Sequence, residues 1–154
     1  MAFYQFEREQ FIPTTLETLW DFIATPRNLK KITPDFMGFD ITSSIKDRMY
    51  QGMIISYVVK PFKGIKTKWV TEITHLKELS YFVDEQRIGP YSLWHHQHIL
   101  IPKEDGVLMK DIITYEPPYG ILGAIANSLF IEKKLTSIFD YRQTVLEEYF
   151  PLKK

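Results

Sequence analysis

The apolar spacing of this chain changes once, and the change divides the chain into two parts of different geometry. Before Pro117-Pro118 the apolar residues come in short, roughly alternating runs. Beyond it they recur every three to four positions, at Leu122, Ile125, Leu129, Leu135, Ile138, Phe139, Val145, Leu146 and Tyr149. Alternation puts every second side chain on one face of a strand, and recurrence at three to four is one stripe of a helix. The first part therefore builds sheet. The second predicts one long helix over 119–149, about 45 Å at 1.5 Å per residue, with first turns weakened by Gly120, Gly123 and Asn127.

The sheet-forming part divides at turn-prone clusters. Residues 2–12 read as a strand, and further strands fall near 36–45, 51–61, 65–76, 80–88, 92–102 and 107–116. Their separators are short: Lys46-Asp47-Arg48, Pro61-Phe62-Lys63-Gly64, Lys77-Glu78, Gly89-Pro90 and Glu104-Asp105-Gly106. Short connections join antiparallel neighbours. Between the first two strands Thr14 and Glu17 have capping-box spacing before Leu16, Leu19, Trp20 and Ile23, so a short helix starts there. Thr25-Pro26 restarts a second, which Thr33-Pro34 ends. The fold class that follows is α+β: a curved antiparallel sheet of about seven strands wrapped on a long C-terminal helix, with two short helices after the first strand. No linker or repeat interrupts residues 1–154, so one domain is expected. One straight helix does not fill the concave side of a curved sheet, so a cavity is expected between them.

Composition limits the partners. The 154 residues carry 19 basic and 19 acidic side chains, so no global field draws nucleic acid or an anionic membrane. There is no cysteine, which removes disulfides and thiolate metal sites and fits a cytoplasmic location. No signal peptide and no membrane-spanning run are expected. Aromatic content is high, with 11 Phe, 9 Tyr and 3 Trp, as suits strands, large cores and ligand pockets. Gly-rich phosphate loops and nucleophile elbows are absent, so no nucleotide cofactor, and no cofactor of any other kind, is expected.

Several segments in order carry a family resemblance. They are Phe82-Val83-Asp84-Glu85-Gln86, Gly89-Pro90-Tyr91, Trp94-x-His96-x-His98, Asp111-x-Ile113-x-Tyr115 and Ile138-Phe139-x-Tyr141-Arg142. Together with Ile12-Pro13, Asn28-Leu29, Thr33-Pro34 and Trp69-x-x-x-Ile73, they resemble the SRPBCC superfamily, the START-like and Bet v 1-like helix-grip group that includes polyketide cyclase-like proteins. The resemblance spans nearly the whole chain and is nearest to bacterial ligand-binding SRPBCC domains. It implies a helix-grip fold and a hydrophobic cavity. Activity does not follow, because carriers, cyclases and co-chaperone-like proteins share this scaffold. The resemblance also implies an opening between the long helix, the second short helix and the hairpin tips. Here that is Pro61–Gly64, 32–39 and Tyr119–Gly123, with Phe36, Met37, Phe39 and Phe62 as a lid or as local packing.

Strand faces give the candidate site. Residues two apart share a face. Phe82, Asp84 and Gln86 then form one face, as do Trp94, His96, His98 and Leu100. Met109, Asp111, Ile113 and Tyr115 form another, and so do Thr67, Trp69, Thr71 and Ile73. Arg142 lies three residues after Phe139 and can approach from the helix. The expected ligand-binding set is Trp69, Phe82, Asp84, Gln86, Trp94, His96, His98, Asp111, Tyr115 and Arg142. The expected ligand is small and mostly hydrophobic or aromatic: a lipid, a polyketide-like ring or a quinone. The rival reading is that these polar groups satisfy one another and only tie helix to sheet.

Three further readings stay open. His96 or His98 beside Asp84 or Asp111 would suit acid–base chemistry of a cyclase, aromatase or dehydratase. A co-chaperone-like module would grip a protein, and an uncovered edge strand would allow a homodimer. For a metal, His96 and His98 share a face while His95 points away, and Asp111 or His75 are the candidates for a third ligand. The spacing shows no complete set, so no metal is expected.

Overall fold

The computed structural model describes residues 3–62, 65–120, 122, 125 and 130–152. The expected helix-grip arrangement is what it adopts. Strand β1 is Tyr4–Ile12, followed by helix α1, Leu16–Ile23. Two short 3-10 turns come next, Pro26–Lys30 and Asp35–Met37, then a two-residue strand β2, Asp40–Ile41. Five long strands follow: β3 Ile54–Phe62, β4 Ile65–Lys77, β5 Tyr81–Ile88, β6 Leu93–Lys103 and β7 Gly106–Glu116. Helix α2, Glu132–Tyr149, ends the chain. The seven strands run in the order β1-β7-β6-β5-β4-β3-β2, and all neighbours are antiparallel.

Local differences from the expected elements have local causes. The helix after β1 is capped by Thr15, whose hydroxyl accepts from the Thr18 backbone N–H at 3.2 Å; the box expected from Thr14 and Glu17 does not form. The strand expected over 36–45 is reduced to Asp40–Ile41. Its first residues form the 3-10 turn, which Gly38 ends in the left-handed region at φ 54. The long helix starts after Tyr119: Leu122 and Ile125 are already helical, and Phe130 and Ile131 form a π-helical turn just before Glu132. Tyr119 and Gly120 have φ of 69 and 53, outside the right-handed helical region. Helix α2 is about 27 Å long over its 18 residues. Gly123, Asn127 and Leu129 from the longer expectation, and Lys63 and Gly64 from the expected hairpin tip, lie outside the described residues.

The sheet bends where registers slip, between Val59 and Phe62 and twice between β4 and β5. Each slip adds twist and curvature. Helix α2 is held across the concave side through β1. Arg8 pairs with Asp140 at 2.8 Å, Gln10 donates to the Gln143 carbonyl at 3.0 Å, and Phe6 packs on Phe139. Its far end meets α1, where Phe22 packs on Tyr149 and Phe150. Leu146 is fully buried there with Leu19 and Trp20. Among the described residues no helix is long and apolar enough to cross a membrane.

Candidate functional site

Between the sheet and α2 lies a chamber of about 510 Å³. Its walls are mostly apolar and come from every layer: Ile55, Tyr57 and Trp69 from the sheet, Leu29 from the first 3-10 turn, Leu135 and Phe139 from α2. Met37 and Phe39 line it on the side where the opening is expected, as do Tyr119 and Leu122. Phe36 is exposed with the Lys134 ammonium 5.5 Å from its ring. The Phe62 side chain lies outside the described residues.

One wall is polar, and strand register explains it. On β6, His96 faces Asp84 of β5 and His98 faces Asp111 of β7. The alternation of β6 turns both histidines inward, so each imidazole sits between two carboxylates. His98 Nε2 is 2.7 Å from Asp84 Oδ2, and its Nδ1 is 3.0 Å from Asp111 Oδ1. His96 Nε2 is 2.8 Å from the same Asp111 oxygen, and its Nδ1 is 3.5 Å from the same Asp84 oxygen. The two rings touch with centroids 3.7 Å apart and planes tilted by 35°, and Phe82 stacks on His98 at 4.1 Å. Arg142 reaches from α2 to within 3.7 Å of Asp111 Oδ1, its guanidinium 4.5 Å above the Phe139 ring. Thr71 donates to Asp84 at 3.4 Å and to the Glu85 carbonyl at 3.0 Å.

These groups set one another's charge. Burial opposes ionisation of Asp111, yet the hydrogen bonds from His96 and His98 and their charges hold its carboxyl well below the usual range. Asp84 is lowered in the same way: burial works against it, but the His98 hydrogen bond and the neighbouring positive charges together prevail. Burial disfavours a charged His98, but hydrogen bonds to Asp111 and Asp84 prevail and raise it. His96 goes the other way: burial and the neighbouring charge of His98 lower it. Burial lowers Arg142 against the pull of Asp111 and Asp84. Both carboxylates are thus favoured in their ionised form, while the two imidazoles are pushed in opposite directions. One donor atom from each of Asp84, His96 and His98 also lies within 4.8 Å of the others.

Eight of the ten residues chosen from the sequence line the chamber: Trp69, Phe82, Asp84, Trp94, His96, His98, Asp111 and Arg142. Gln86 and Tyr115 are placed elsewhere. Gln86 folds back on its own hairpin, donating to the Tyr91 carbonyl at 2.7 Å and accepting from the Tyr91 N–H at 3.2 Å. Tyr115 is buried under Tyr4, Tyr91 and Trp94 in the smaller core cluster. His95 points away from the chamber to Glu85, at 2.7 Å, and His75 bonds to Thr74. Tyr57 is a wall residue that the strand-face reading omits. It stacks on Trp69, is buried, and is raised by that burial and by Asp84. Alternation of Ile55, Tyr57 and Val59 along β3 is the signal that could have found it. Two buried N–H groups of the wall, Trp69 Nε1 and Arg142 Nε, have no hydrogen-bond acceptor among the described residues.

No protein-family model and no curated protein matches the chain. Solved structures do. The crystal structure of TTHA0849 from Thermus thermophilus aligns with TM-score 0.72 at 15% identity, over 95% of this chain and 99% of that one. A START superfamily protein from Mycobacterium smegmatis aligns with TM-score 0.70 at 13% identity, over 95% and 96%. Ara h 8.0201 aligns with TM-score 0.62 at 12% identity, over 96% and 99%. The fold is therefore of the START-like and Bet v 1-like kind that the sequence resembles.

Proposed function

We propose that the chain binds a small, mostly hydrophobic molecule between sheet and helix, without catalysis, and that a lipid, polyketide-like or quinone-like compound is the class it takes. The observation that carries this reading is the chamber. A closely packed interior leaves few voids larger than a water molecule, whereas this one leaves about 510 Å³. That is within the range of small-molecule pockets, which are apolar with a few convergent polar groups. The walls supply the apolar area, and the Asp84–His98–Asp111 wall supplies a polar end for a carbonyl or hydroxyl. The rival, a network that exists only to tie helix to sheet, accounts for the polar wall but not for the space beside it.

Native mass spectrometry of protein purified from its own host tests the proposal. A co-purifying small molecule with one-to-one stoichiometry is expected. A stoichiometric polypeptide in its place would move the function to protein recognition. An empty protein that also fails to enhance the fluorescence of anilinonaphthalene sulfonate would remove the binding reading.

A second reading has one specific observation behind it. His96 and His98 are pushed in opposite directions although their rings touch, and separated acid and base are what proton transfer requires. Substituting His96, His98 and Asp84 separates the two readings. Turnover lost while affinity is kept would favour a cyclase, aromatase or dehydratase over a binder.

A further inference from the structure

The four contacts of the polar wall have a direction. Asp111 Oδ1 takes one nitrogen from each imidazole, His96 Nε2 at 2.8 Å and His98 Nδ1 at 3.0 Å. Arg142 backs that same oxygen at 3.7 Å. With both of those nitrogens donating to Asp111, the opposite nitrogens are His96 Nδ1 and His98 Nε2, and a metal ion would displace the proton through which His98 Nε2 bonds to Asp84. Both opposite nitrogens approach one oxygen, Asp84 Oδ2, at 3.5 and 2.7 Å. Three donor atoms therefore converge, and a fourth residue holds both rings from behind.

We propose that Asp84, His96 and His98 form a two-histidine, one-carboxylate seat for a divalent first-row metal ion such as Zn2+ or Fe2+, with Asp111 as the carboxylate that orients both imidazoles. Bonds of about 2.0–2.2 Å place neighbouring donors about 3.0–3.5 Å apart in octahedral or tetrahedral geometry. The contacts to Asp84 bracket that spacing, and all three donors fall within 4.8 Å. Histidine ligands ordinarily donate their other N–H to a carboxylate, which fixes the tautomer and raises ligand basicity. Here one buried carboxylate serves both rings, and Arg142 offsets its charge. Two imidazoles and a carboxylate leave coordination positions free. Because all three ligands line the chamber, those positions would be filled by water or by an oxygen of a bound molecule. Spacing alone does not complete this set. It offers Asp111 or His75 as the third ligand, whereas Asp111 stands behind the rings and His75 is exposed and bonds to Thr74. The proposal does not depend on what fills the apolar chamber.

Calorimetric titration of chelator-treated protein with Zn2+ alone tests it. One equivalent is expected to bind at submicromolar concentration, D84N and H98Q to abolish that uptake, and D111N to weaken it about 10- to 100-fold. H95Q is expected to leave it unchanged. Co2+ added to the unaltered protein gives a readout that needs no variant. The ring protons of His96 and His98 should show the large contact shifts of coordinated imidazoles, and those of His75 and His95 only the smaller through-space shifts. No stoichiometric uptake, or uptake that shifts only His75 and His95, overturns the proposal.

Discussion

Asp111 is the residue on which the polar wall depends. It is 1% exposed and faces His96, His98 and Arg142. Removing it leaves the Arg142 charge and the N–H groups of both imidazoles without that partner in a buried place. Breaking a buried pair from one side costs about 3–5 kcal/mol, so D111A should lose about that much in urea unfolding at neutral pH. The histidines add a pH dependence whose two limbs have opposite signs. His98 is raised in the folded state. Its contribution is whole below the unfolded value of about 6.5 and is lost as pH rises through the folded one. His96 is lowered, so its contribution is present above about 6.5 and is lost as pH falls through its folded value. Stability should therefore peak near pH 6.5, falling on the acid side through His96 and on the alkaline side through His98. Asp84 and Asp111, both depressed, add their loss further down as pH falls from about 4. Urea midpoints measured across this range should show H98Q without the alkaline limb. An alkaline fall that survives H98Q would mean another group drives it.

At the scale of elements, the hairpin from β5 to β6 is clamped by a side chain. Both ends of the Gln86 amide are engaged by the backbone of Tyr91, which then packs on Trp69, Trp94 and Tyr115. Leaving part-buried backbone groups unpaired costs about 1–3 kcal/mol, and Q86A should lose that much and speed hydrogen exchange at the Tyr91 amide. Gly89 belongs to the same device. A Cβ there would clash with Gln86 Oε1, so G89A must displace the amide and should cost a similar amount. In the Q86A background the obstruction is gone. The double variant should then be clearly more stable than the sum of the two losses implies; additive losses would refute the clamp. The same hairpin marks the limit of what the sequence discloses. Alternation correctly turns Asp84, His96, His98 and Asp111 inward, because a buried face imposes a period of two along a strand. It carries Gln86 onto that face as well, whereas a local turn uses its amide instead. The second 3-10 turn reads as strand from its apolar spacing, and the long helix reads as starting at Tyr119, but the turn's end and the helix's start follow from Gly38, Tyr119 and Gly120 at positive φ. Spacing of apolar residues does not report such angles. Pairing of Asp84 with His96 and of His98 with Asp111 is not legible either, because it needs the cross-strand register.

At the scale of the molecule, the chamber is a consequence of curvature. The register slips in β3, β4 and β5 bend the sheet away from a straight helix, and side chains from both layers fall short of one another. None of this is encoded in a face pattern, which predicts that a residue is inside without saying how far the opposite wall stands. The distinction between packed interior and chamber makes a sharp prediction. Leu19 is fully buried, outside the chamber wall, and set among Trp20 and the apolar face of α1. L19F has nowhere to place the larger ring and should lose about 1–3 kcal/mol, as overpacking does. Val59 is buried to a similar degree, but it lines the chamber. V59F therefore extends into free volume and should unfold at or above the wild-type temperature. A ligand that binds only the folded state stabilises it in proportion to the logarithm of its excess over Kd, about 2.7 kcal/mol at a hundredfold excess. V59F removes the space that affinity requires, so the thermal shift given by anilinonaphthalene sulfonate in the wild type should shrink or vanish in V59F. In D111N, which keeps the volume, the shift should persist. If V59F and L19F were destabilised alike, the chamber would close in solution and the space between sheet and helix would not be a binding site.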